Sequence, residues 1–455
     1  MNRKYFLILS GAILSAVSLF GTRVADHSTR SVAPLPEERS VKLNLELDRP
    51  MLPSDSEETV ILKIGLNGVR QSSAYRTPLN LALVIDRSGS MSGDKIRQAR
   101  NAAHQAVDQL MSDDVVSLIV YGSEAVTYWP ASRVGDGRGL HQAINRIETS
   151  GNTNLWGGVQ LGAAELRKRL RGDFVHRVIL LSDGLANVGP SSVEELAGLG
   201  SELRAEGIAV STLGLGLDYN EDLMAGLARR SDGNTYFVEN SRDLPRVFSE
   251  EFGDAMNVVA RELVVEVIFP AGVRPLRVIG RDGAIEDQRA EVRMNQLYGG
   301  REQFALVEVR VDPGRAAESR ELARAELSYR TEAGAARVQL DKNVNVAFTG
   351  DLKVVRAEAN HQVQTDYSLN RLAEVKEEVI RLNDQGRTEE AQRELESLAA
   401  SQRQMSASYA NAAVAKLAAS VEAEAEEFRR NGMDNAARKS YRADSPQISR
   451  QQKRP

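Results

Sequence analysis

Between residues 79 and 260 the chain alternates short, predominantly apolar runs with stretches of helical spacing, and few folds accommodate that pattern. The apolar runs fall at 81–85, 115–121, 178–181, 208–215 and 235–238. Helical periodicity occupies 95–111, 155–170, 192–206 and 221–230 between them. A strand that is apolar along its whole length must be covered on both faces, whereas a strand with one wet face alternates. Strands of the first kind separated by helices predict an α/β, Rossmann-like layer structure with a mostly parallel central sheet.

The flanking sequence obeys a different rule. Val41, Leu43, Leu45 and Leu47 alternate with polar residues, which marks a half-buried strand, and 59–66 is a second β-like run beyond a turn-rich 50–56. From 261 to 350 the chain is β-rich again, with strands expected at 263–269, 291–294, 304–311, 325–329 and 338–346. These predict an antiparallel β-sandwich. Two strands do not make a stable domain, so 39–75 is expected to complete that sandwich, and the α/β domain (79–260) becomes an insertion within it. Residues 351–442 turn helical: Leu372, Val375, Val379 and Leu382 recur at steps of three and four, as do Val414, Leu417 and Val421, and Ala391, Leu395 and Leu398 share a face. A helical bundle or hairpin follows.

The ends read differently. Met1-Asn2-Arg3-Lys4 followed by an apolar run to Phe20 is expected to be a signal peptide or an uncleaved membrane anchor (1–21), then a linker (22–38) with Pro34 and Pro36. Residues 443–455 are polar, contain Pro446 and Pro455, and are expected to be disordered. The export segment implies an extracytoplasmic location: periplasmic, secreted or membrane-anchored.

Composition removes several function classes. The formal net charge of −5 supplies no field for nucleic acid. With no cysteine there are no disulfides, thiol nucleophiles or thiolate metal sites. The 5 histidines (His27, His104, His141, His176, His361) share no motif. No phosphate-binding G-x-x-x-x-G-K-[ST] loop and no G-x-S-x-G elbow occurs, and Gly135-Asp136-Gly137-Arg138-Gly139 is read as a plain connection. The basic residues Arg429, Arg430, Arg438, Lys439 and Arg442 are read as a solvated helix face rather than a membrane contact.

Three separated pieces of the α/β region belong together. Asp86-Arg87-Ser88-Gly89-Ser90 follows the first apolar run, Thr153 lies just before a helix, and Asp183-Gly184 follows the run at 178–181. In a parallel α/β sheet, ligands bind beyond the carboxyl ends of the strands, where such pieces converge. Hydroxyl and carboxylate oxygens suit a hard divalent cation. The set resembles the metal-ion-dependent adhesion site of the von Willebrand factor type A family: D-x-S-x-S, a distant threonine, and an aspartate in a later D-G turn.

That resemblance implies a cation held by Asp86, Ser88, Ser90, Thr153 and Asp183, with Mg²⁺ first and Mn²⁺ or Ca²⁺ as alternatives. It also implies a protein partner whose Asp or Glu fills an open coordination position. The expected function is an adhesion-type binding module, not an enzyme. The alternative is an envelope scaffold or oligomerising structural protein in which the metal only stabilises the fold. A third class is an enzyme or chaperone-like subunit, whose ATPase partner would be another chain. The oligomeric state stays open.

Overall fold

The computed structural model describes residues 40–69, 78–170, 174–216, 218–255, 257–281, 283–331, 337–434, 437–442 and 452–453. The expected export segment and linker (1–38) lie outside these residues, as does most of the expected C-terminal tail. Within that tail, Gln452 and Lys453 form a two-residue strand beside Glu302 and Gln303. Among the described residues no helix is long and apolar enough to cross a membrane.

The chain begins with β1 (Val41–Leu47), β2 (Met51–Pro53) and β3 (Glu58–Gly68). It then enters the α/β region: β4 (Leu79–Asp86), α1 (Asp94–Gln109), β5 (Val115–Tyr121), β6 (Ala125–Arg133), α2 (Arg138–Asn145), α3 (Leu155–Arg167), β7 (Val175–Ser182), α4 (Val193–Ala205), β8 (Ile208–Leu215), α5 (Glu221–Ser231), β9 (Thr235–Val238) and α6 (Leu244–Ala255). Strands β10 (Val258–Ile268), β11 (Val273–Ile279), β12 (Gly283–Glu286), β13 (Arg289–Tyr298), β14 (Glu302–Val311), β15 (Ser319–Thr331) and β16 (Arg337–Thr349) follow. Helices α7 (Leu352–Ala357), α8 (His361–Asp384), α9 (Thr388–Tyr409) and α10 (Ala412–Asn431) come last.

The α/β sheet has the order β6-β5-β4-β7-β8-β9, parallel except for the edge pair β5/β6. Every residue of β4, β5, β7 and β8 is buried. One apolar cluster, with α1, α2 and α6, covers one face, and a second, with α3, α4 and α5, covers the other. That double cover is what the unbroken apolar runs require. The chain first builds outward from β4 to β5 and β6, then returns through α3 to place β7 on the opposite side of β4. The strand order therefore reverses at β4, which opens a crevice at its carboxyl end.

The remaining strands form two facing sheets, β1-β3-β14-β11 and β12-β13-β10-β15-β16-β2, around a single apolar cluster. β3 pairs antiparallel with both β1 and β14, so strands from before and after the α/β region share one sheet. The sequence reading did not place β11 or β12, and two further features depart from it. The turn-rich stretch after β1 contains β2, which pairs parallel with β16. The first returning strand starts at Val258 rather than 261, and Val258 itself packs in the α/β core. β1 shows the alternating burial of a strand with one wet face. β3 is buried almost throughout because α8 covers its outer side: Val363 packs on Ile61, Ile279, Phe304 and Leu306. Beneath that helix the buried Lys63 pairs with Asp366 and Glu302 at 3.0 Å each. Burial would lower its ammonium, but these carboxylates hold it above its ordinary value.

The junction of the α/β region with the sandwich is polar and buried. Arg177 of β7 pairs with Glu251 of α6 and donates to Gln296 Oε1 (2.7 Å) and Tyr298 Oη (2.8 Å) of β13. Glu251 also accepts from Ser211, Asn234 and Tyr236. Its burial alone would raise its carboxyl, yet Arg177 and these donors bring it below the usual value. The basic residues near the C-terminus also have partners. Arg438 pairs with Glu221, Asp222 and Asp384, Lys439 donates to Tyr219 O at 2.8 Å and pairs with Glu221, and Arg442 pairs with Asp222. Only Arg429 and Arg430 of that group lie on an exposed helix face, each pairing with Glu426.

Removing one member of a buried ion pair strands the other charge, at a cost of about 3–5 kcal/mol. Arg177→Ala should therefore destabilise the chain by about that amount in chemical denaturation. The double variant Arg177→Met/Glu251→Gln should recover a substantial part of the loss. A double variant as unstable as the single one would show that the stranded carboxylate is not the cause.

Candidate metal centre

Asp86 is the last residue of β4, at the crevice where strand order reverses, and it is fully buried. Both its oxygens are used. Oδ1 accepts the Ser88 backbone N–H at 2.8 Å, and Oδ2 accepts the Ser182 hydroxyl at 2.7 Å. The first bond curls the chain directly after the strand and starts a single 3₁₀ turn, Gly89–Met91, whose Met91 side chain is buried below. That turn brings Ser88 Oγ to 3.1 Å from Ser90 Oγ, and Ser90 Oγ donates to Asp183 Oδ1 at 2.7 Å. Asp183 follows β7, the strand adjacent to β4, and is fully buried.

Thr153 arrives on a loop that the backbone fixes. Ser150 N–H donates to Arg87 O (2.6 Å), Gly89 N–H to Gly151 O (3.1 Å), and Asn154 N–H to Gly122 O (2.8 Å). Gly151 makes the turn at φ 82°, a left-handed conformation that residues with a Cβ rarely adopt. Thr153 itself is held at both ends: its N–H donates to Asn187 Oδ1, and its C=O accepts from Asn187 and Val188 N–H. Asn154 then caps α3 by accepting from Gly157 N–H. A Cβ on Gly184 would stand 3.3 Å from both Ser90 Oγ and Thr153 Oγ1. These hydroxyls from distant loops thus face one small space, and a side chain at 184 would crowd it. The structure brings Asp86, Ser88, Ser90, Thr153 and Asp183 together.

The donor set is all oxygen, with two carboxylates and three hydroxyls, which fits a hard divalent cation rather than a soft one. Among the described residues there is no cluster of three or more His, Asp or Glu side chains suited to a metal. Asp86 has its carboxyl pushed up to about 6, chiefly by burial, with the Asp183 charge adding and the hydrogen bonds of Ser88 and Ser182 opposing. A cation bound there would reverse that penalty.

Several participants are absent from the motif. Lys95, in the first turn of α1, places Nζ 2.6 Å from Asp183 Oδ2. Ser182 orients Asp86 from the neighbouring strand, and Asn187 holds Thr153. The signal for Ser182 was its position directly before the D-G turn, where strand alternation points it opposite to its neighbour. Elsewhere the fold pairs two histidines that share no motif: His104 Nδ1 lies 2.7 Å from His141 Nδ1, joining α1 to α2, with Asp108 and Asn145 on the outer nitrogens.

Comparison with known proteins agrees with this architecture. Residues 80–250 match the family model for the von Willebrand factor type A domain. An uncharacterized protein of Synechocystis sp. is 28% identical over 261 residues, covering 55% of this chain and 61% of that protein. The uncharacterized protein YfbK of Escherichia coli is 23% identical over 259 residues, covering 56% of this chain and 45% of that protein. The match thus spans roughly half the length of these curated relatives. Among solved structures, a von Willebrand factor type A protein from Catenulispora acidiphila superposes with TM-score 0.65 at 14% identity, covering 92% of this chain and 99% of that one. The likeness in fold therefore extends through sandwich and helices as well as the α/β region.

The raised Asp86 carboxyl has a definite sign. The folded state holds its proton up to about pH 6, while the unfolded state releases it near the ordinary carboxyl value of 3.8. Over that window the folded state binds more protons, so stability falls as pH rises. In chelator, thermal melting of the wild type should decline from pH 4 to about 6 more steeply than that of Asp86→Asn. Parallel pH profiles for the two proteins would refute the assignment.

Proposed function

We propose that this chain, whose residues 80–250 form a von Willebrand factor type A domain, is a metal-dependent protein-binding module. Such domains typically act as interaction modules. The carrying observation is the meeting of the Ser90 and Thr153 hydroxyls at Gly184, beside two buried carboxylates. In this reading Asp86, Ser88, Ser90, Thr153 and Asp183 hold one divalent cation, Mg²⁺ first by hardness and abundance, directly or through water. The ion supplies a Lewis-acidic point to which a partner's Asp or Glu side chain binds. The chain's own residues do the rest: Ser182 and the Ser88 N–H orient Asp86, Asn187 positions Thr153, and Gly184 leaves the space open.

Binding rather than catalysis is favoured by the hydroxyls themselves. Ser88 bonds Ser90 and Ser90 donates to Asp183, a set of hydroxyl and carboxylate oxygens that suits holding a hard cation. Export to an extracytoplasmic compartment is part of the proposal and rests on the basic-then-apolar start of the sequence.

Asp86→Ala and Thr153→Ala should each abolish the heat of Mg²⁺ and Mn²⁺ binding in isothermal titration and leave the far-UV circular dichroism unchanged. Retained heats in both variants would sink the site. A partner captured from envelope extract in Mg²⁺ should be released by EDTA. Replacing its coordinating acid should cost about 2–5 kcal/mol, and that loss should not add to the loss caused by EDTA. Equal capture with and without EDTA would favour the scaffold reading.

A further inference from the structure

Lys95 is the second residue of α1, and its ammonium pairs with Asp183 of the candidate site. Nζ lies 2.6 Å from Asp183 Oδ2, with the lysine side chain 29% exposed and the carboxylate fully buried. Asp94, its neighbour in sequence, pairs with Arg97 and accepts from Ser241. Asp183 is thereby held on both oxygens: Oδ1 takes the Ser90 hydroxyl and Oδ2 takes the ammonium. On its far side Nζ comes within 3.9 Å of where a Cβ on Gly216 would stand, at a backbone φ of 75°. That is ordinary van der Waals contact, and it places the turn after β8 beside the ammonium.

We infer that Lys95 sets the charge balance of the metal centre, so that the cation is held weakly alone and firmly only with a partner carboxylate. This deepens the metal-dependent reading above and rests on it. The argument is a count of formal charges. Asp86, Asp183 and Lys95 together carry one net negative charge. A divalent cation added to them leaves one net positive charge, which one incoming carboxylate neutralises. Without the lysine, two carboxylates already balance the cation, and a partner's acid would bring an uncompensated charge into a largely buried site. Charges there interact more strongly than in water, so the imbalance is costly. Lys95 therefore acts against the cation and in favour of the partner's acid, and its removal should move the two affinities in opposite directions. A lysine that merely positions Asp183 would move them the same way.

The test uses the full chain, with Mn²⁺ as the metal and acetate as the carboxylate probe. Isothermal titration measures Mn²⁺ affinity with and without saturating acetate for wild type, Lys95→Met, Lys95→Gln and Lys95→Arg. Wild type should bind Mn²⁺ more tightly in acetate. Lys95→Met should bind Mn²⁺ alone about tenfold more tightly than wild type and lose the acetate enhancement. Lys95→Arg, which keeps the charge, should resemble wild type in both. Should Lys95→Met fail to fold, Lys95→Gln carries the same comparison. Unchanged or weaker Mn²⁺ affinity in the neutral variants, or an acetate effect equal to wild type, overturns the inference and leaves the metal site standing. Absence of Mn²⁺ binding in wild type overturns both.

Discussion

The buried contact between Arg177 and Glu251 is the constraint on which the rest of the architecture leans. It lies where the α/β region joins the sandwich, and it ties together β7, α6 and, through Gln296 and Tyr298, β13. Desolvating two charges is expensive, and their attraction offsets that cost only when the remaining hydrogen-bonding capacity is met. Here Ser211, Asn234 and Tyr236 supply donors to the carboxylate. Such a network accepts one arrangement of its parts and rejects neighbouring ones. Its consequence for the site is direct. Arg177 anchors β7 near its amino end, and Asp183 follows the carboxyl end of the same strand. Asp183 of the candidate site therefore sits on an element whose register against the sandwich is fixed.

The same device recurs at the other contacts between regions. Lys63 secures α8 to the sandwich through Asp366 and Glu302, and Arg49 joins Glu58 of β3 to Tyr409 at the end of α9. Arg438 and Lys439 clasp the acidic first turn of α5, where Glu221 and Asp222 also complement the helix dipole. Tyr441, two residues beyond Lys439, packs in the helical core. This short C-terminal segment thus links the α/β region to the helical core. Apolar burial builds each core, while paired charges specify how the cores meet.

What the sequence revealed and what it withheld follow from the range of the interactions involved. Doubly covered strands advertise themselves through unbroken apolar runs, so β4, β5, β7 and β8 were legible. The edge strand β6 was not, because only partial burial shapes it and its pattern carries no clean alternation. Helix α2 was hidden by the glycine-rich stretch read as a connection: Gly137 is its left-handed cap, and Arg138 and Gly139 already belong to the helix. Pro245 masked α6, although a proline in the first turn costs a helix nothing. Pro275 likewise obscured β11, where the pairing shifts register beside the proline. The five motif residues were legible because their spacing is local to strand ends. Lys95 and the partners of Arg438 and Lys439 were not, since a charge finds its counter-charge across the fold and leaves no periodicity in the chain.

The way the loops are held bears on what a cation can do there. Gly89 to Gly151, Ser150 to Arg87, Asn154 to Gly122 and Asn187 to Thr153 are all backbone bonds, so main-chain contacts position the loops. The side chains, by contrast, spend their hydrogen bonds on one another: Ser88 on Ser90, Ser90 on Asp183, Asp183 on Lys95. A cation arriving at this centre would exchange side-chain partners without remodelling the backbone, so little of its binding free energy is consumed in ordering loops. What remains to be satisfied is charge, and charge is the one property of the site that an incoming acidic side chain can complete. A frame fixed by backbone bonds, with a charge left for an acid to complete, is the arrangement that the proposed binding role requires.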